Sequence, residues 1–356
     1  MIERTHASGG RSRPGNRRAT AGFSGQAAPL ALLGIALASL CLAAGGCASL
    51  RNPQAVLENL GPRETLPLAW RVSGGHGADL YILGSIHLGP ARGWEYPPGI
   101  LAALDQASAV VVEVNVKDVD DVTLERLVAH FGYLAPGRSL RRNVSPSTWA
   151  LLEARLAQSS IPLAAVSRLQ PWLLSNLIVV EAIRRGNYFP DRGTEDDFIR
   201  RAGSRSVVPL ETPADQLSFL GALPRRTQEL YLVDTLTHYD AAGHFVGRYV
   251  DAWRSGDAKT LGDLIFDSYR RDKSFAPFFD AVIFDRSDRM GKQLKVLLEA
   301  NQHAGELVFV VLGVAHMLGD ASIADDLAAQ GYRVDRIPRS ELRTPRRPGE
   351  NLAVHP

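Results

Sequence analysis

Two histidines occupy the same kind of position in widely separated parts of the chain. The segment Leu80 to His87 is LYILGSIH, and the segment Val308 to His316 is VFVVLGVAH. Each is an apolar run that ends in Leu-Gly-x-x-His. Such runs are typical of strands covered on both faces, as in a parallel sheet flanked by helices. Because ligands of these sheets bind outside the carboxyl ends of the strands, the pattern predicts one site that contains both imidazoles.

The glycine of each motif is predicted to be a turn residue. Gly84 and Gly313 lack a Cβ, which lets the backbone turn sharply or come close to a ligand or a neighbouring strand. A single histidine after a strand is more often a hydrogen-bonded core or capping residue. The repetition of the whole pattern favours a shared site for His87 and His316.

Two glutamates lie at the ends of other apolar runs. Glu113 is within Ala109 to Val114 (AVVVEV), and Glu211 directly follows Ser206 to Leu210 (SVVPL). Burying a carboxylate without a partner costs several kcal/mol, so Glu113 should meet a cation, a metal or a set of donors. The alternatives are a solvent-facing Glu113 on an edge strand and a capping or loop role for Glu211.

The elements that would position these residues indicate an α/β fold with a central, largely parallel sheet and a helical insertion. Apolar runs predict further strands at Leu68 to Val72, Ala78 to Leu83, Glu306 to Leu312 and Tyr332 to Ile337. Helical spacing predicts helices at Pro97 to Ala107, Ser147 to Gln158, Pro171 to Arg185, Thr194 to Arg201, Asp280 to Ala300 and Asp320 to Gln330, and a helical block from Ala214 to about Leu264.

The composition is that of a globular chain. Of 356 residues, 45% are hydrophobic and 22% are charged, which suits one large α/β domain or a domain with a helical insertion. The formal net charge is +2, and no long basic stripe interleaved with aromatic residues occurs in the middle of the sequence. Nucleic acid is therefore not expected as a partner.

The first 47 residues have the pattern of a bacterial lipoprotein signal. Four arginines between residues 11 and 18 precede an apolar stretch from Pro29 to Ala44, which is short for a bilayer span of about 20 residues. Small residues then lead to Cys47, which would become the lipidated first residue. Ala48 lacks the aspartate associated with inner-membrane retention, so we expect a membrane anchor at the periplasmic face of the outer membrane. An uncleaved anchor helix is the alternative.

The cysteines also limit the chemistry. Cys41 and Cys47 are the only two, so the rest of the chain has no thiol nucleophile, disulfide or thiolate zinc site. We expect a linker at residues 48–66, a domain at 67–338 with a helical lobe at about 118–300, and an unfolded Pro/Arg-rich tail at 339–356.

A set of short motifs covers nearly the whole region from Leu66 to Ile337. They are LGSIHLG (Leu83 to Gly89), VVEV (Val111 to Val114), GTEDDF (Gly193 to Phe198), PLET (Pro209 to Thr212), LGVAH (Leu312 to His316) and GYRV (Gly331 to Val334). As an ordered set they resemble the TraB/GumN family, relatives of the Tiki proteins. The resemblance implies an α/β fold with two related halves and a site built from both Gly-x-x-His motifs and a glutamate.

Carried over residue by residue, this site falls on His87, Glu113 and His316, with Glu211 and Arg286 as neighbours. The sequence departs from the family pattern twice. The common Gly-x-Asp is Gly193-Thr194-Glu195 here, and an Arg-Asn pair is Arg286-Ser287. These departures put in doubt a contact to the substrate or a supporting contact. They do not affect the central residues His87, Glu113 and His316.

The Tiki-type relatives are described as metal-dependent proteases. Two neutral imidazoles with one or two carboxylates suit Zn, Mn, Co or Fe, and a metal-bound water can attack a carbonyl. We therefore expect a metal-dependent hydrolase of peptides or proteins, with His87 and His316 as ligands and Glu113 as a ligand or general base. Glu211 would support the site or act as base, and Arg286 would steady an oxyanion or a carboxylate.

Two alternatives stay open. One is an esterase-like hydrolase, resembling the erythromycin esterases, in which a histidine acts as base without a metal. The other is a periplasmic lipoprotein that uses the same histidines to bind haem or another ligand, or that sequesters a signalling peptide, without turnover. The sequence also leaves open whether the chain forms a homo-oligomer.

Overall fold

The computed structural model describes residues 64–344. The predicted signal with its lipidation site at Cys47, most of the predicted linker and residues 345–356 of the predicted tail lie outside the described residues. Within the range 64–344, no helix has both the length and the apolar character needed to cross a membrane.

The strands build one large sheet and one small one. In chain order they are β1 (Ala69–Ser73), β2 (Asp79–Ser85), β3 (Gly89–Pro90), β4 (Ala109–Val114), β5 (Tyr188–Phe189), β6 (Ser206–Glu211), β7 (Leu307–Gly313) and β8 (Arg333–Arg336). The six-stranded sheet has the order β6-β4-β7-β2-β1-β8, and β3 pairs with β5. Strands β6, β4, β7 and β2 are mutually parallel, whereas β1 is antiparallel to both of its neighbours. The predicted α/β fold with a largely parallel central sheet is confirmed.

The apolar runs explain the strand order. Strands β2, β4 and β7 are buried along nearly their whole length, and they occupy interior positions in the sheet. Edge strand β6 alternates between exposed and partly buried positions until its last two residues. A strand covered by helices on both faces cannot keep polar side chains, so the most apolar runs lie in the interior.

Helices cover the sheet and form most of the region between β4 and β7. They are α1 (Pro98–Gln106), α2 (Asp121–Gly132), α3 (Leu140–Asn143), α4 (Pro146–Leu156), α5 (Pro171–Arg185), α6 (Thr194–Arg201), α7 (Pro213–Gly221), α8 (Arg225–Thr237), α9 (Ala242–Ser255), α10 (Ala258–Arg271), α11 (Ala276–Phe279), α12 (Asp285–Glu299), α13 (Ile323–Ala329) and α14 (Arg339–Arg343). Helices α4 and α5 begin at Pro146 and Pro171, because proline suits the first helical turn, where its missing N–H has no intrahelical partner.

Two segments differ from their predicted structure. The predicted helix from Asp280 to Ala300 begins with a π-helical turn, Asp280–Phe284, before it continues as α12. The tail predicted to be unfolded from Arg339 instead starts with α14, and the prediction is wrong for these residues. One apolar side chain, Leu342, is buried there, and a single apolar residue in a charged segment has no periodicity that would predict a helix.

Candidate functional site

The parallel strands deliver the predicted site residues to one edge of the sheet. Glu113 is the next-to-last residue of β4 and Glu211 is the last residue of β6. His87 follows the end of β2 by two residues, and His316 lies in the short 3-10 helix Val314–Met317 that follows β7. The carboxyl ends of neighbouring parallel strands meet at the same edge. These four residues are therefore neighbours although they are far apart in the chain.

Both histidines flank the carboxylate of Glu113. His87 Nε2 lies 3.8 Å from Glu113 Oε2, and His316 Nε2 lies 3.7 Å from Glu113 Oε1. The Glu113 side chain is fully buried and that of His316 is 2% exposed, whereas that of His87 is 10% exposed. The structure thus brings the two imidazoles and one acid into a single cluster, with His87 on its solvent side.

The two motif glycines are strand residues, so their assignment as turns is wrong. Gly84 pairs with Leu312 and Gly313 with Ser85 in the parallel ladder. A Cβ on Gly313 would lie 2.6 Å from Glu113 Oε2, and only 3.4 to 3.5 Å from the rings of His316 and His87. At Gly84 a Cβ would lie 2.9 Å from a methyl group of Val314. Glycine is required because other groups come too close for a side chain.

Arg286 joins the two glutamates from α12. Its Nη2 donates to Glu113 Oε1 and Glu211 Oε2 over 2.5 and 2.6 Å, and its Nε donates to Glu211. Its Nη1 donates to the carbonyl of Val282 over 3.1 Å. All three nitrogens are engaged and the side chain is 2% exposed. Of the two predicted roles of Arg286, the contacts agree with the one in which it steadies a carboxylate, because the guanidinium binds those of Glu113 and Glu211. A role towards an oxyanion stays a prediction.

The cluster keeps its imidazoles neutral and its central acid ionised. Burial alone would raise the pKa of Glu113, but Arg286, His316, His87 and the Gly313 amide together lower it to about 2. Burial, followed by Arg286, lowers the pKa of His316 to about 3 against the opposing effect of Glu113. Burial also lowers the pKa of His87. At neutral pH both histidines are therefore uncharged and able to ligate. With a pKa of about 3, His316 is a poor proton acceptor, as is Glu113, which leaves His87 as the candidate proton acceptor.

His316 is oriented by the residue that departs from the family pattern. Ser287 Oγ lies 2.9 Å from His316 Nδ1 in a buried hydrogen bond. That bond engages one ring nitrogen and leaves Nε2 facing Glu113. The serine of the Arg286-Ser287 pair therefore makes a supporting contact within the cluster.

Thr194 and Glu195 also belong to the site, although sequence reasoning assigned them no role beyond their place in the Gly193-Thr194-Glu195 motif. Thr194 Oγ1 accepts from the Ile86 amide at 3.0 Å, and the Thr194 amide donates to the Ile86 carbonyl at 2.9 Å. Glu195 Oε1 accepts from the Val114 amide, and its Oε2 lies 3.9 Å from His87 Nδ1. We call Thr194 and Glu195 the clasp, because they tie together the ends of β2 and β4. Their position in a Gly-x-acid motif was the only available signal.

The donors match a metal in chemical type but not in arrangement. Neutral imidazoles and an ionised carboxylate are suitable ligands. Both oxygens of Glu113 are already hydrogen-bonded, Oε1 to Arg286 and Oε2 to the Gly313 amide at 2.6 Å. Among residues 64–344 no group of three or more His, Cys, Asp or Glu side chains is positioned to hold a metal ion. The predicted three-ligand set is therefore not assembled as it stands.

A cavity of about 200 Å³ opens beside His87, and Glu195, Val114 and Ile199 contribute to its wall. A larger cavity of about 960 Å³, lined in part by Trp94 and Tyr188, contains none of the predicted site residues. The smaller cavity is the candidate site for chemistry, because its lining includes His87, the most exposed side chain of the cluster.

Known proteins are similar in sequence to parts of this chain. An uncharacterized protein of Treponema pallidum (strain Nichols) is 24% identical over 202 residues, which cover 54% of this chain and 59% of that protein. The Metalloprotease TIKI1 of Danio rerio is 33% identical over 60 residues, which cover 17% of this chain and 12% of that protein. The matched regions thus span less than two thirds of either relative. No solved structure matches.

The model of the TraB/PrgY/gumN family matches residues 68–336. This range covers well over half of the chain and runs from the start of the central sheet to its last strand. It also includes both Gly-x-x-His motifs and the two glutamates. The chain belongs to the TraB/PrgY/gumN family.

Proposed function

We propose that this protein is a hydrolase that attacks a carbonyl beside His87, with a peptide bond as the target. The observation that carries the proposal is the neutral imidazole of His87, which faces a cavity and is backed by an ionised carboxylate 3.8 Å away. Family membership supports the proposal, and so does the name of the zebrafish relative, a metalloprotease.

His87 would act as general base and then as general acid. It accepts a proton from a water molecule whose oxygen attacks the carbonyl carbon, and it returns that proton to the amine nitrogen as the carbon–nitrogen bond breaks. The imidazolium formed between these steps is stabilised by Glu113, whose negative charge is retained because its pKa is held at about 2. Glu113 is thus an electrostatic partner and not a second base.

The remaining residues hold the reacting pair in place. Arg286 holds the Glu113 carboxylate in place through a hydrogen bond, and the same guanidinium also donates to Glu211. His316 lies deeper, and its imidazole is fixed by Ser287. This division of roles assigns Glu211 and Arg286 to positioning, since neither reaches the cavity beside His87.

Metal dependence is the finer part of the proposal. The zebrafish name supports it. In that form of the mechanism His87 and His316 would supply two imidazole ligands, and His87 would not be the proton acceptor. Glu113 would complete the set only by giving up its bond to Arg286 or to the Gly313 amide. A divalent ion of Mn, Co, Zn or Fe would polarise the carbonyl and acidify a bound water.

The test is cleavage of a peptide mixture by the full-length protein in detergent, with products detected by mass spectrometry as new termini that have gained water. His87→Ala should lower turnover by about 100-fold or more. The matched control is His76→Ala, an exposed histidine in the turn before β2. Metal dependence is assayed by chelation and then re-addition of each ion. Unchanged turnover in His87→Ala would refute the role of His87, and full activity after chelation would refute the metal.

We also propose that the protein is exported and anchored by lipid at Cys47 on the periplasmic face of the outer membrane. The support is the apolar segment that ends in small residues before Cys47. Metabolic labelling with a fatty acid should mark the wild type but not Cys47→Ser, with Cys41→Ser as the matched control. Equal labelling of Cys47→Ser and the wild type would exclude lipidation at this residue.

A further inference from the structure

The cavity beside His87 has a wall that the proposed chemistry does not use. Four apolar side chains line it, Val114 at the end of β4, Val116 in the turn that follows, Pro190 and Ile199. Apolar walls next to a reactive side chain are typical of sites that bind an apolar group and orient it. The cavity is therefore more than an opening for water.

We propose that this cavity is a specificity subsite that receives one uncharged, apolar side chain of the substrate, next to the bond that is cleaved. The proposal rests on the hydrolase function above and adds the class of substrate. Its occupant is a single side chain because the volume is about 200 Å³, below the roughly 300–1,000 Å³ of pockets that enclose drug-sized ligands. At about 30 Å³ for each water, the space equals roughly seven water molecules.

The position of the cavity relative to the chemistry follows from helix α6. Glu195 and Ile199 are four residues apart in this helix, so they share one face. Both line the cavity, and Glu195 Oε2 lies 3.9 Å from His87 Nδ1. A substrate side chain that packs against Ile199 therefore lies about one turn of α6 from the His87 imidazole. The backbone carbonyl of that same substrate residue is then the one closest to His87.

The charges around the cavity argue against a charged occupant. Lys117 and Arg200 on the lining are balanced by Asp191 and Asp196, so the formal charges of these four residues cancel. The rim therefore attracts neither a positive nor a negative side chain strongly. The apolar wall penalises any charged side chain that enters without a partner. Glu195 at the base is the remaining acid of the lining; it accepts from the Val114 amide, and burial raises its pKa well above the usual value, which favours its uncharged form.

The test uses peptides that are identical except for one residue before the cleaved bond: alanine, leucine, phenylalanine, lysine or aspartate. We expect kcat/KM to be about 10- to 200-fold higher for leucine than for alanine, and lower for lysine and aspartate than for leucine because the apolar wall penalises a charge without a partner. Ile199→Trp should fill the cavity and reduce the leucine preference to near that of alanine, while cleavage of the alanine peptide continues. Ile199→Ala should shift the preference towards bulkier residues, and it serves as a second variant if Ile199→Trp fails to fold.

The control is Val208→Trp, which enlarges an exposed apolar residue on edge strand β6 and should leave the preference unchanged. A preference for charged residues, or a leucine preference that survives in Ile199→Trp and does not shift in Ile199→Ala, would overturn the subsite. If the wild type cleaves no peptide, the hydrolase proposal fails on its own. The subsite is then decided by binding of N-acetyl-leucinamide, which Ile199→Trp should abolish; equal binding of N-acetyl-lysinamide by the wild type would overturn it.

Discussion

The amide of Gly313 donates a hydrogen bond to Glu113 Oε2 over 2.6 Å, joining residues that are 200 positions apart. This bond closes the site, because Glu113 is then held by a strand amide on one oxygen and by Arg286 on the other. The two histidines stand on either side of that fixed carboxylate. The cluster is thus a single buried unit, so we expect a substitution of one member to affect the others.

Gly313→Ala should destabilise the protein and abolish turnover. The new methyl group would lie 2.6 Å from Glu113 Oε2, and relieving such an overlap in a packed interior costs about 1–3 kcal/mol. Urea unfolding measures the loss. Gly262→Ala in α10 is the matched control, because no atom lies within 4 Å of the Cβ that alanine would add. Alanine is also more favourable than glycine in a helix interior, by about 1 kcal/mol. Equal stability of Gly313→Ala and the wild type would show that the strand ends can separate.

Glu113→Gln should lower the free energy of unfolding by about 3–5 kcal/mol, the usual cost of removing one partner from a buried ion pair. The change keeps the shape of the side chain but leaves Arg286 with one carboxylate instead of two. The matched control is Asp288→Asn, in the exposed pair with Lys292, where about 0–1 kcal/mol is expected. Chemical denaturation of both variants gives the comparison, and similar losses would contradict a buried role for the pair.

Acid should destabilise the protein partly through His316. Its pKa is about 3 in the folded state and about 6.5 when unfolded, so below pH 6.5 the unfolded chain binds a proton that the folded chain excludes. Stability is therefore complete above pH 6.5 and falls until about pH 3. Between pH 7.5 and 4.5 this histidine alone should account for about 2–3 kcal/mol. His316→Gln should show a smaller drop than the wild type, and His76→Gln the same drop. Parallel pH dependences in all three proteins would rule this out.

Turnover should also fall in acid because of His87. A base must be neutral to accept a proton, and burial lowers the pKa of His87 below its usual 6.5. We therefore expect kcat/KM to be constant above pH 6.5 and to decline only at lower pH. Asp196, whose pKa burial raises to about 6, titrates nearby, so the profile is compared in Asp196→Asn. If the decline disappears in that variant, His87 is not the group that limits the rate.

Thr194→Val should reduce kcat more than it affects KM. Valine has the shape of threonine but leaves the buried Ile86 amide without its acceptor, at a cost of about 1–3 kcal/mol. His87 is the next residue, so its imidazole loses the support of the clasp. Thr194→Ser restores the hydroxyl and should restore kcat. A Thr194→Ser protein that is as impaired as Thr194→Val would show that the hydroxyl alone does not support catalysis, and would contradict the role given to this hydrogen bond.

The sequence by itself determined the strands of the six-stranded sheet and the edge at which the candidate site residues meet. Long apolar runs are typical of strands covered on both faces, and a repeated motif after two such runs predicts that His87 and His316 share an edge. Strands β2 and β7 are indeed neighbours, in parallel and in register. The local pattern was sufficient because a strand that is buried on both faces must be apolar at nearly every position, and this shows in its own residues.

Only the tertiary structure decided what each side chain of the site does. Arg286 binds two carboxylates, Gly313 makes room for Glu113, and Thr194 fastens the end of β2. These contacts join residues 75 to 200 positions apart. Such contacts leave no periodicity in the sequence, because a hydrogen bond or a steric limit depends on where two distant segments meet and not on the residues beside either one.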